Sequence, residues 1–575
     1  MSFSLPLHLR RRHLTAVLLA SAIFSTPAMA ALDDAKAILQ VLLNKGVISQ
    51  QDYDKTLEEW NSKPLDSVPP VQFVQDALGV QAKDVQKAVD YTKKDEKNGS
   101  VKPSGYGFVS ADGERSINLI GLVHFDARSI SNGLTDSADK DSASGASNYE
   151  VRRARIGLNG SIAKDLDYEI LTNLVGSSAN LIHRAYINYG YNKNAQFRVG
   201  RFKQPFSLEE MTSANATDFQ ERSYGNQLVA SQRLGAMVFG EPRQGFTYAL
   251  SSYQDGFNEL SNTSNIGTLG IGRVTVNFAE LNDLNNSVIH FGLGIDKGSY
   301  ETTPTTATDT GVGASNVTRA TILSFRTENR GLGNAYRAQI AGDTVTAGYG
   351  VAGNNVANIT KNMQGLELAL ATGPFKFQSE FIDSTYSASS KNYCAVTSTT
   401  TYSKCTAGDL YSSSFDLKAK TNYYEFIYNL TGESWANSYK SGAFTTIKPK
   451  ANFSAGPNGG LGAWQLGVRY STYTVTEPSS FTGRSDVAGA VSTGSTAVTS
   501  STDQSKWTSR GENSEQAQTV TLGVNWILNP NSRVIFNYAV TKFDRPVTYL
   551  TTTTPATLGS TSEEKVVSIR TQINF

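Results

Sequence analysis

The sequence predicts an all-β protein, a transmembrane antiparallel β-barrel of about 16 strands. Three observations predict this fold. The composition, with 49 Gly, 10% aromatic residues and only 16 Pro, is typical of a chain of strands and turns. From residue 116 onward, apolar and polar residues alternate in segments of about ten residues. The connections between these segments alternate between short and long, as in barrels of the outer membrane.

The N-terminus, residues 1–30, has the three parts of a secretory signal peptide. MSFSLPLHLRRRHL is basic, TAVLLASAIFSTP is a short apolar run, and Ala28-Met29-Ala30 is a cleavage site of the small-x-small type. A membrane anchor is less well supported, because the apolar run is too short to span a bilayer. Cleavage after Ala30 would leave 49 basic residues (52 − 3) against 51 acidic ones. The overall charge therefore indicates no nucleic acid partner, and any preference for anions must be local.

Residues 31–100 show helical spacing instead of alternation. LDDAKAILQVLLNKG has an apolar stripe, and Ser49 to Asp52 resembles a capping box that opens a second helix running to Trp60. A third amphipathic stretch covers residues 71–91. We expect a small helical periplasmic segment and linker, which either self-associates through its apolar stripes or merely spaces the barrel.

Residues 101–575 form the predicted transmembrane β-barrel domain. In TNYYEFIYNL, for example, Tyr424, Phe426 and Tyr428 share one face, and Glu425 and Asn429 share the other. AWQLGVRYSTY, SRVIFNYAV and KVVSIRTQINF alternate in the same way. One apolar and one polar face predict strands between lipid and a wet lumen. Because lipid offers backbone groups no hydrogen-bond partners, the sheet must close.

The connections fall into two classes. GSIAKDL, YNKNA, GEPRQG, TGPF and NPNS are short turns. The long, polar connections are 129–148, 204–230, 301–361, 387–420, 476–516 and 545–564. Residues 431–462 form a long connection where the alternation predicts a short turn.

The only two cysteines, Cys394 and Cys405, lie in one Ser/Thr/Tyr-rich stretch. In an exported protein this arrangement predicts a disulfide that pins a loop. A metal site is not supported, since no His lies near them. We expect neither a metal nor a cofactor.

Several stretches resemble the phosphate-selective porin O/P family of outer-membrane proteins, from about residue 116 to residue 575. They are YEVRRARIGLNGSIAKDLDYEI, GRFKQPFSLEEMTSANATDFQERS, NYYEFIYNLTGES, GAFTTIKPK, GAWQLGVRY and TLGVNWILNPNSRV, in the family's order. The resemblance implies a 16-stranded homotrimeric barrel in the outer-membrane lipid, constricted by an inward-folded third loop. It also implies passage of phosphate, polyphosphate or other small anions. The connection 431–462 is long in that family too.

Arginines are the candidate anion-binding residues, because a guanidinium stays charged and donates two parallel hydrogen bonds to an oxyanion. Because side chains alternate between the two faces of a strand, we expect Arg153 and Arg155 to face the lumen. Arg152 falls on the lipid side of the alternation and either snorkels or is turned inward by a bulge. The family's paired arginines correspond to Arg152 and Arg153. Arg198 faces the lumen, and a bulge at Gly200 would bring in its neighbours. The predicted anion path is Arg152, Arg153, Arg155, Arg198, Arg201, Lys203 and Arg222.

The third loop carries acids that we expect opposite cations of the barrel wall: Glu209, Glu210, Asp218 and Glu221. The fifth loop carries basic residues for which we expect an outer funnel that concentrates anions: Arg319, Arg326, Arg330 and Arg337. General porins also place arginines against an acidic inward loop, as a brace. The same residues therefore fit a structural role as well as anion binding.

Other functions are less well supported. HExxH and GxSxG motifs are absent from the sequence, and its five His are scattered, which disfavours an enzyme. A TonB-type receptor is disfavoured, because the N-terminal region is too small for a plug. Two functions remain: a passive anion channel, for phosphate or polyphosphate first, and a general diffusion porin for small hydrophilic solutes.

Overall fold

A computed structural model describes most of the barrel and part of the N-terminal region. The residues described are 39–40, 43, 49–61, 102–131, 148–176, 181–255, 267–302, 305–307, 317–332, 335–341, 357–394, 410–456, 459–477, 482–484, 507–510, 514–550 and 558–575. The chain divides into two units, residues 1–116 and 117–575.

The N-terminal unit contains the helix Gln50–Asn61 and a two-stranded hairpin, Lys102–Ser104 with Gly107–Val109. Ser49 and Asp52 cap the helix reciprocally. The amide of Asp52 donates to Ser49 Oγ (3.2 Å), and the amide of Ser49 donates to Asp52 Oδ2 (3.0 Å). The predicted signal peptide and most of the other two predicted helices lie outside the described residues. No described helix has both the length and the apolar character needed to cross a membrane.

The second unit is an antiparallel barrel, as predicted. We number its strands β1 to β16. They are Ser116–Ser131, Asn148–Ala163, Leu166–Asn173, Ile182–Asn192, Ala195–Lys203, Gln232–Arg243, Phe246–Asp255, Gly267–Asn277, Ser287–Thr302, Ala357–Thr372, Phe375–Cys394, Leu410–Asn429, Ala463–Thr476, Gln516–Asn529, Ser532–Leu550 and Leu558–Asn574. Each strand pairs with the next, and β16 pairs with β1 from Lys565–Ser131 to Asn574–Leu122, so the sheet closes. Closure leaves no sheet edge unpaired.

The alternation read from the sequence separates the two faces of the wall. Phe426 is 59% exposed on the outer face, whereas its neighbour Glu425 is 3% exposed inside. Aromatic residues on adjacent strands pair on the outer face, for example Phe375 with Tyr428 at 4.7 Å between ring centroids. An apolar exterior around a polar interior is the arrangement a membrane barrel requires.

Several connections carry structure of their own. Strands Thr305–Ala307, Val317–Phe325, Tyr336–Ala341, Thr482–Arg484 and Trp507–Arg510 form a second, smaller sheet. A one-turn helix, Phe278–Leu281, joins β8 to β9. The connection 431–462 holds a 3₁₀ helix, Trp435–Ser438, and a small hairpin, Tyr439–Lys440 with Ala443–Phe444. The predicted disulfide between Cys394 and Cys405 involves side chains outside the described part of the chain.

Three connections pack inside the barrel. Leu208 and Phe219, from the connection after β5, share an apolar cluster with Trp435 and Phe444 from the connection 431–462. In a second cluster, Tyr224 packs edge-to-face on Phe325, which lies in the connection after β9. These contacts hold the inward segments against the wall and against one another.

Candidate functional site

The connection between β5 and β6, residues 204–231, folds back into the barrel, and we call it the constriction loop. It contains a one-turn helix, Leu208–Met211, and a 3₁₀ helix, Tyr224–Gln227. Ser207 caps the first helix by accepting a hydrogen bond from the amide of Glu210 (3.2 Å). Across the barrel, the Glu380 carboxylate on β11 accepts hydrogen bonds from the backbone amides of Leu208 (3.0 Å) and Glu209 (2.7 Å). The loop is thus pinned to the wall through its backbone.

Each of the four acids of the constriction loop contacts a cation. Glu209 pairs with Arg469 on β13 at 3.1 Å, and Asp218 pairs with Lys376 on β11. Glu221 pairs with Arg152 on β2 at 3.0 Å and with Arg570 on β16 at 3.2 Å. The fourth acid, Glu210, lies 3.5 Å from Arg222 within the loop and 3.9 Å from Lys203. These pairs connect the loop to opposite sides of the barrel wall.

A second inward segment, residues 325–332, comes from the connection after β9. The side-chain amide of Gln227 exchanges two hydrogen bonds with the backbone of Arg326, at 3.0 and 3.1 Å. Glu328 contacts Arg469, and Arg330 pairs with Glu150 on β2 at 2.9 Å.

Of the four basic residues predicted to form an outer funnel, Arg326 contacts the constriction loop and Arg330 contacts β2. Arg337 lies in the strand Tyr336–Ala341, and the side chain of Arg319 is outside the described residues.

Arginines and acids alternate along the wall formed by β1, β2 and β16. Arg570 makes a two-point contact with Asp126 (2.7 and 2.8 Å). Arg128 reaches Asp126 at 2.8 Å and Glu150 at 2.6 Å. At the end of this row, Glu221 of the constriction loop pairs with Arg570. A row of partly neutralised guanidiniums therefore leads to the constriction loop.

A bulge in β2 turns both Arg152 and Arg153 toward this row. In the β1–β2 ladder, His124 is opposite Arg153 and Phe125 is opposite Val151, so Arg152 is an additional residue. The sequence left open whether Arg152 snorkels or is turned inward by a bulge, and the ladder shows the bulge.

The inward segments and the wall enclose a cavity of about 60 Å³, which we call the arginine cavity. Among the described residues, its charged lining consists of five guanidiniums and one carboxylate, that of Glu221. Within the described residues, Arg153 and Arg326 have no carboxylate within 4.0 Å; Arg153 contacts the imidazole of His124 at 3.3 Å. The described residues that line it are Arg152, Arg153, Ala214, Thr217, Gln220, Glu221, Arg222, Ser223, Asn226, Gln227, Arg326 and Arg570.

The remaining predicted cations do not line this cavity. Arg155 donates to Asn173 at 2.8 Å, and Arg198 stacks on Tyr186 at 4.3 Å from the ring centroid. Arg201 lies on β5, and Lys203 Nζ donates to backbone carbonyls of the constriction loop. The predicted bulge at Gly200 is absent, because both β5 ladders keep their register there.

Arg469 and Arg570 belong to the polar faces of two alternating segments, AWQLGVRYSTY and KVVSIRTQINF, to which the sequence analysis assigns no function. Arg128, Lys376 and Glu328 were missed. Arg128 and Lys376 could have been found from the sequence, because each is a charged residue on the lumen-facing side of an alternating strand. Glu328 had no such signal, because its position follows from the inward fold of its loop.

Burial and charge act in opposite directions on the loop carboxylates. Burial by itself would raise the pKa of Glu221, but the adjacent Arg152 and Arg570 hold that pKa well below its usual range. Burial raises the pKa of Glu328 to about 8, and the nearby Arg469 offsets only part of that effect. Glu221 is therefore ionised at neutral pH, and Glu328 is mostly neutral.

The chemistry available at the arginine cavity is binding of an anion. Among the residues that the structure describes, no group of three or more His, Cys, Asp or Glu side chains is arranged to hold a metal ion. Guanidinium donors with few competing carboxylates suit an oxyanion that has lost part of its hydration.

The barrel residues match a known protein family. Residues 118–575 match the family model described as phosphate-selective porin O and P. Porin O of Pseudomonas aeruginosa is 25% identical over 406 residues, which cover 68% of this chain and 76% of that protein.

Similar solved structures include OmpT of Vibrio cholerae, at 10% identity and a TM-score of 0.41, covering 80% of this chain and all of that one. An anion-selective porin from Comamonas acidovorans is 11% identical, with a TM-score of 0.38 and the same coverage. Similarity this low does not bear on function.

Proposed function

The chain belongs to the phosphate-selective porin O and P family, and from this premise we propose that its outer-membrane channel passes small oxyanions, phosphate or polyphosphate first, through the arginine cavity. The protein is an outer-membrane porin, a channel and not an enzyme. Transport through a porin is passive, so the proposed path must bind an anion and release it again.

The observation that carries this proposal is the charge of the arginine cavity, where the described lining has five guanidiniums against one carboxylate. Conduction requires binding strong enough for an ion to enter and weak enough for it to leave. Arg152 and Arg570 are partly neutralised by Glu221, whereas Arg153 has no carboxylate partner among the described residues. Such a graded set of donors supports stepwise passage of an anion instead of a permanent complex.

A general diffusion porin is the second candidate, and the pairing of the loop acids favours it. Glu209, Asp218 and Glu221 each reach a wall cation, as expected of a brace that produces a transverse field. This candidate predicts weak selectivity and no block of the current by phosphate.

We also propose that the mature protein begins after Ala30 and assembles as a homotrimer in outer-membrane lipid. The signal-peptide pattern supports the first point, and the family supports the second. Residues 31–100 either mediate self-association or space the barrel.

The test is the zero-current potential of the purified protein in planar bilayers under a KCl gradient, followed by titration of the chloride current with phosphate. We expect anion preference and block by phosphate. Arg153→Gln should raise the half-blocking phosphate concentration about 10- to 100-fold, since a hydrogen bond to a charged group contributes about 1.5–3 kcal/mol.

Arg155→Gln is the matched control, because it removes the same charge from the same strand outside the cavity lining, and it should have a much smaller effect. Cation preference, or a wild-type current that phosphate does not block, would favour the general porin.

A further inference from the structure

The arginine cavity contains hydrogen-bond acceptors as well as donors. Its guanidiniums donate to any oxyanion, so they do not distinguish one tetrahedral anion from another. Glu221 is the single carboxylate among the described lining residues and is 5% exposed. The distribution of hydrogen bonds around this carboxylate decides which anions it tolerates.

The two oxygens of Glu221 are used unequally. Oε1 accepts from Arg152 (3.0 Å), Arg570 (3.2 Å) and, at 3.5 Å, Arg128. From the described residues, Oε2 accepts one hydrogen bond, donated by Arg152 Nη2 at 3.3 Å. A carboxylate offers about four lone-pair sites, so Oε2 retains acceptor capacity beside the cavity.

Gln220 provides a second, independent sign of a bound ligand. Its side chain lines the cavity and is only 2% exposed, yet neither amide atom has a partner among the described residues. Its backbone is fixed, because the amide donates to Asn537 Oδ1 (2.8 Å) and the carbonyl accepts from Arg570. A buried amide without partners is costly, and a ligand with both acceptor and donor atoms would satisfy it.

Tetrahedral oxyanions differ in this respect. Near neutral pH, phosphate and arsenate carry at least one O–H, whereas sulfate and selenate carry none. A sulfate oxygen next to Glu221 Oε2 would bring two acceptors together, with charges of the same sign. A phosphate O–H in that place donates to the carboxylate while its other oxygens accept from the arginines.

We propose that Glu221 determines specificity, so that the arginine cavity prefers oxyanions bearing an O–H, such as phosphate and arsenate, over fully deprotonated ones, such as sulfate and selenate. This inference rests on the proposed function, because it requires that oxyanions bind in the cavity. Glu221 accepts the hydrogen bond of the anion's O–H. The side-chain amide of Gln220 can both donate to the anion and accept from it.

The experiment measures the half-blocking concentrations of phosphate, arsenate, sulfate and selenate on the chloride current of the full-length channel in planar bilayers. In the wild-type protein, sulfate and selenate should require at least about tenfold higher concentrations than phosphate and arsenate, the effect of one charged hydrogen bond. Glu221→Gln should reduce this ratio by about tenfold or more, and Glu221→Asp, which keeps the acceptor, should retain most of it.

Glu169→Gln is the control, since Glu169 pairs with Arg184 at 2.7 Å and does not line the cavity. In Glu169→Gln, the ratio of the half-blocking concentrations of sulfate and selenate to those of phosphate and arsenate should match the wild-type ratio. Equal block by sulfate and phosphate in the wild-type channel would overturn the inference without any variant, and so would a ratio that Glu221→Gln leaves unchanged.

A wild-type channel that no oxyanion blocks would instead contradict the proposed function. The two failures are therefore distinguishable.

Discussion

Arg469 joins the two inward segments of the barrel, and Arg469→Met tests whether that junction sets the width of the channel. The guanidinium is 2% exposed and pairs with Glu209 at 3.1 Å. It also contacts Glu328, donates to the carbonyl of Glu221 at 2.8 Å and stacks on Phe219 at 4.6 Å. Methionine keeps the apolar stem and removes every polar contact.

The expected magnitude follows from the two acids. Because the pKa of Glu328 is raised to about 8, that side chain is mostly neutral at pH 7. Removing the Arg469 cation therefore costs Glu328 little free energy. Glu209 would remain a buried carboxylate without its cation, which costs about 3–5 kcal/mol. A change of this size alters the ratio of released to docked loop about a hundredfold or more, at 1.4 kcal/mol per tenfold.

The assay is single-channel conductance together with the temperature at which the barrel unfolds on a heat-modifiability gel. We expect larger and noisier conductance in Arg469→Met and a lower unfolding temperature. Adding Glu209→Gln to Arg469→Met should restore much of the lost unfolding temperature, because it removes the unpaired buried charge.

Lys420→Met is the control. Lys420 pairs with Asp383 at 3.4 Å, but the two side chains are 67% and 56% exposed, so the pair should contribute at most about 1 kcal/mol. Wild-type conductance and unfolding temperature in Arg469→Met would refute the assignment of Arg469 as the junction.

Two further predictions concern a loop carboxyl and a strand glycine. Burial raises the pKa of Glu328 from 4.5 to about 8, so the stability contributed by its neutral form is complete below about pH 4.5 and is lost as the pH rises through about 8. Unfolding temperatures measured across that window should fall in the wild type and fall less in Glu328→Gln; parallel profiles would contradict this. Gly200 has φ +125°, and a Cβ there would lie 2.3 Å from the carbonyl oxygen of Ala185, so Gly200→Ala should lower the unfolding temperature on the same gel. Gly270→Ala, whose Cβ meets nothing closer than 3.9 Å, should be tolerated, and equal behaviour of the two variants would count against the steric argument.

The sequence by itself determined the wall of the barrel. Alternation is a local property: in Glu425-Phe426 each residue takes the face opposite its neighbour, whatever the strand pairs with. Because lipid offers no hydrogen bonds to backbone groups, alternating segments of this length had to close into a barrel. The inward position of Arg153 followed from the same rule.

Only the tertiary structure decided which charges meet. Whether Arg152 faces lipid or lumen depends on the bulge opposite His124 and Phe125, which is a property of two paired strands. Arg326 lies at the arginine cavity because its loop docks on Gln227, a contact between residues 99 positions apart. Ion pairs such as Glu209 with Arg469 join residues 260 positions apart. A sequence pattern reports the period of a strand, but the position of a long loop depends on distant charges that must be paired once they are buried.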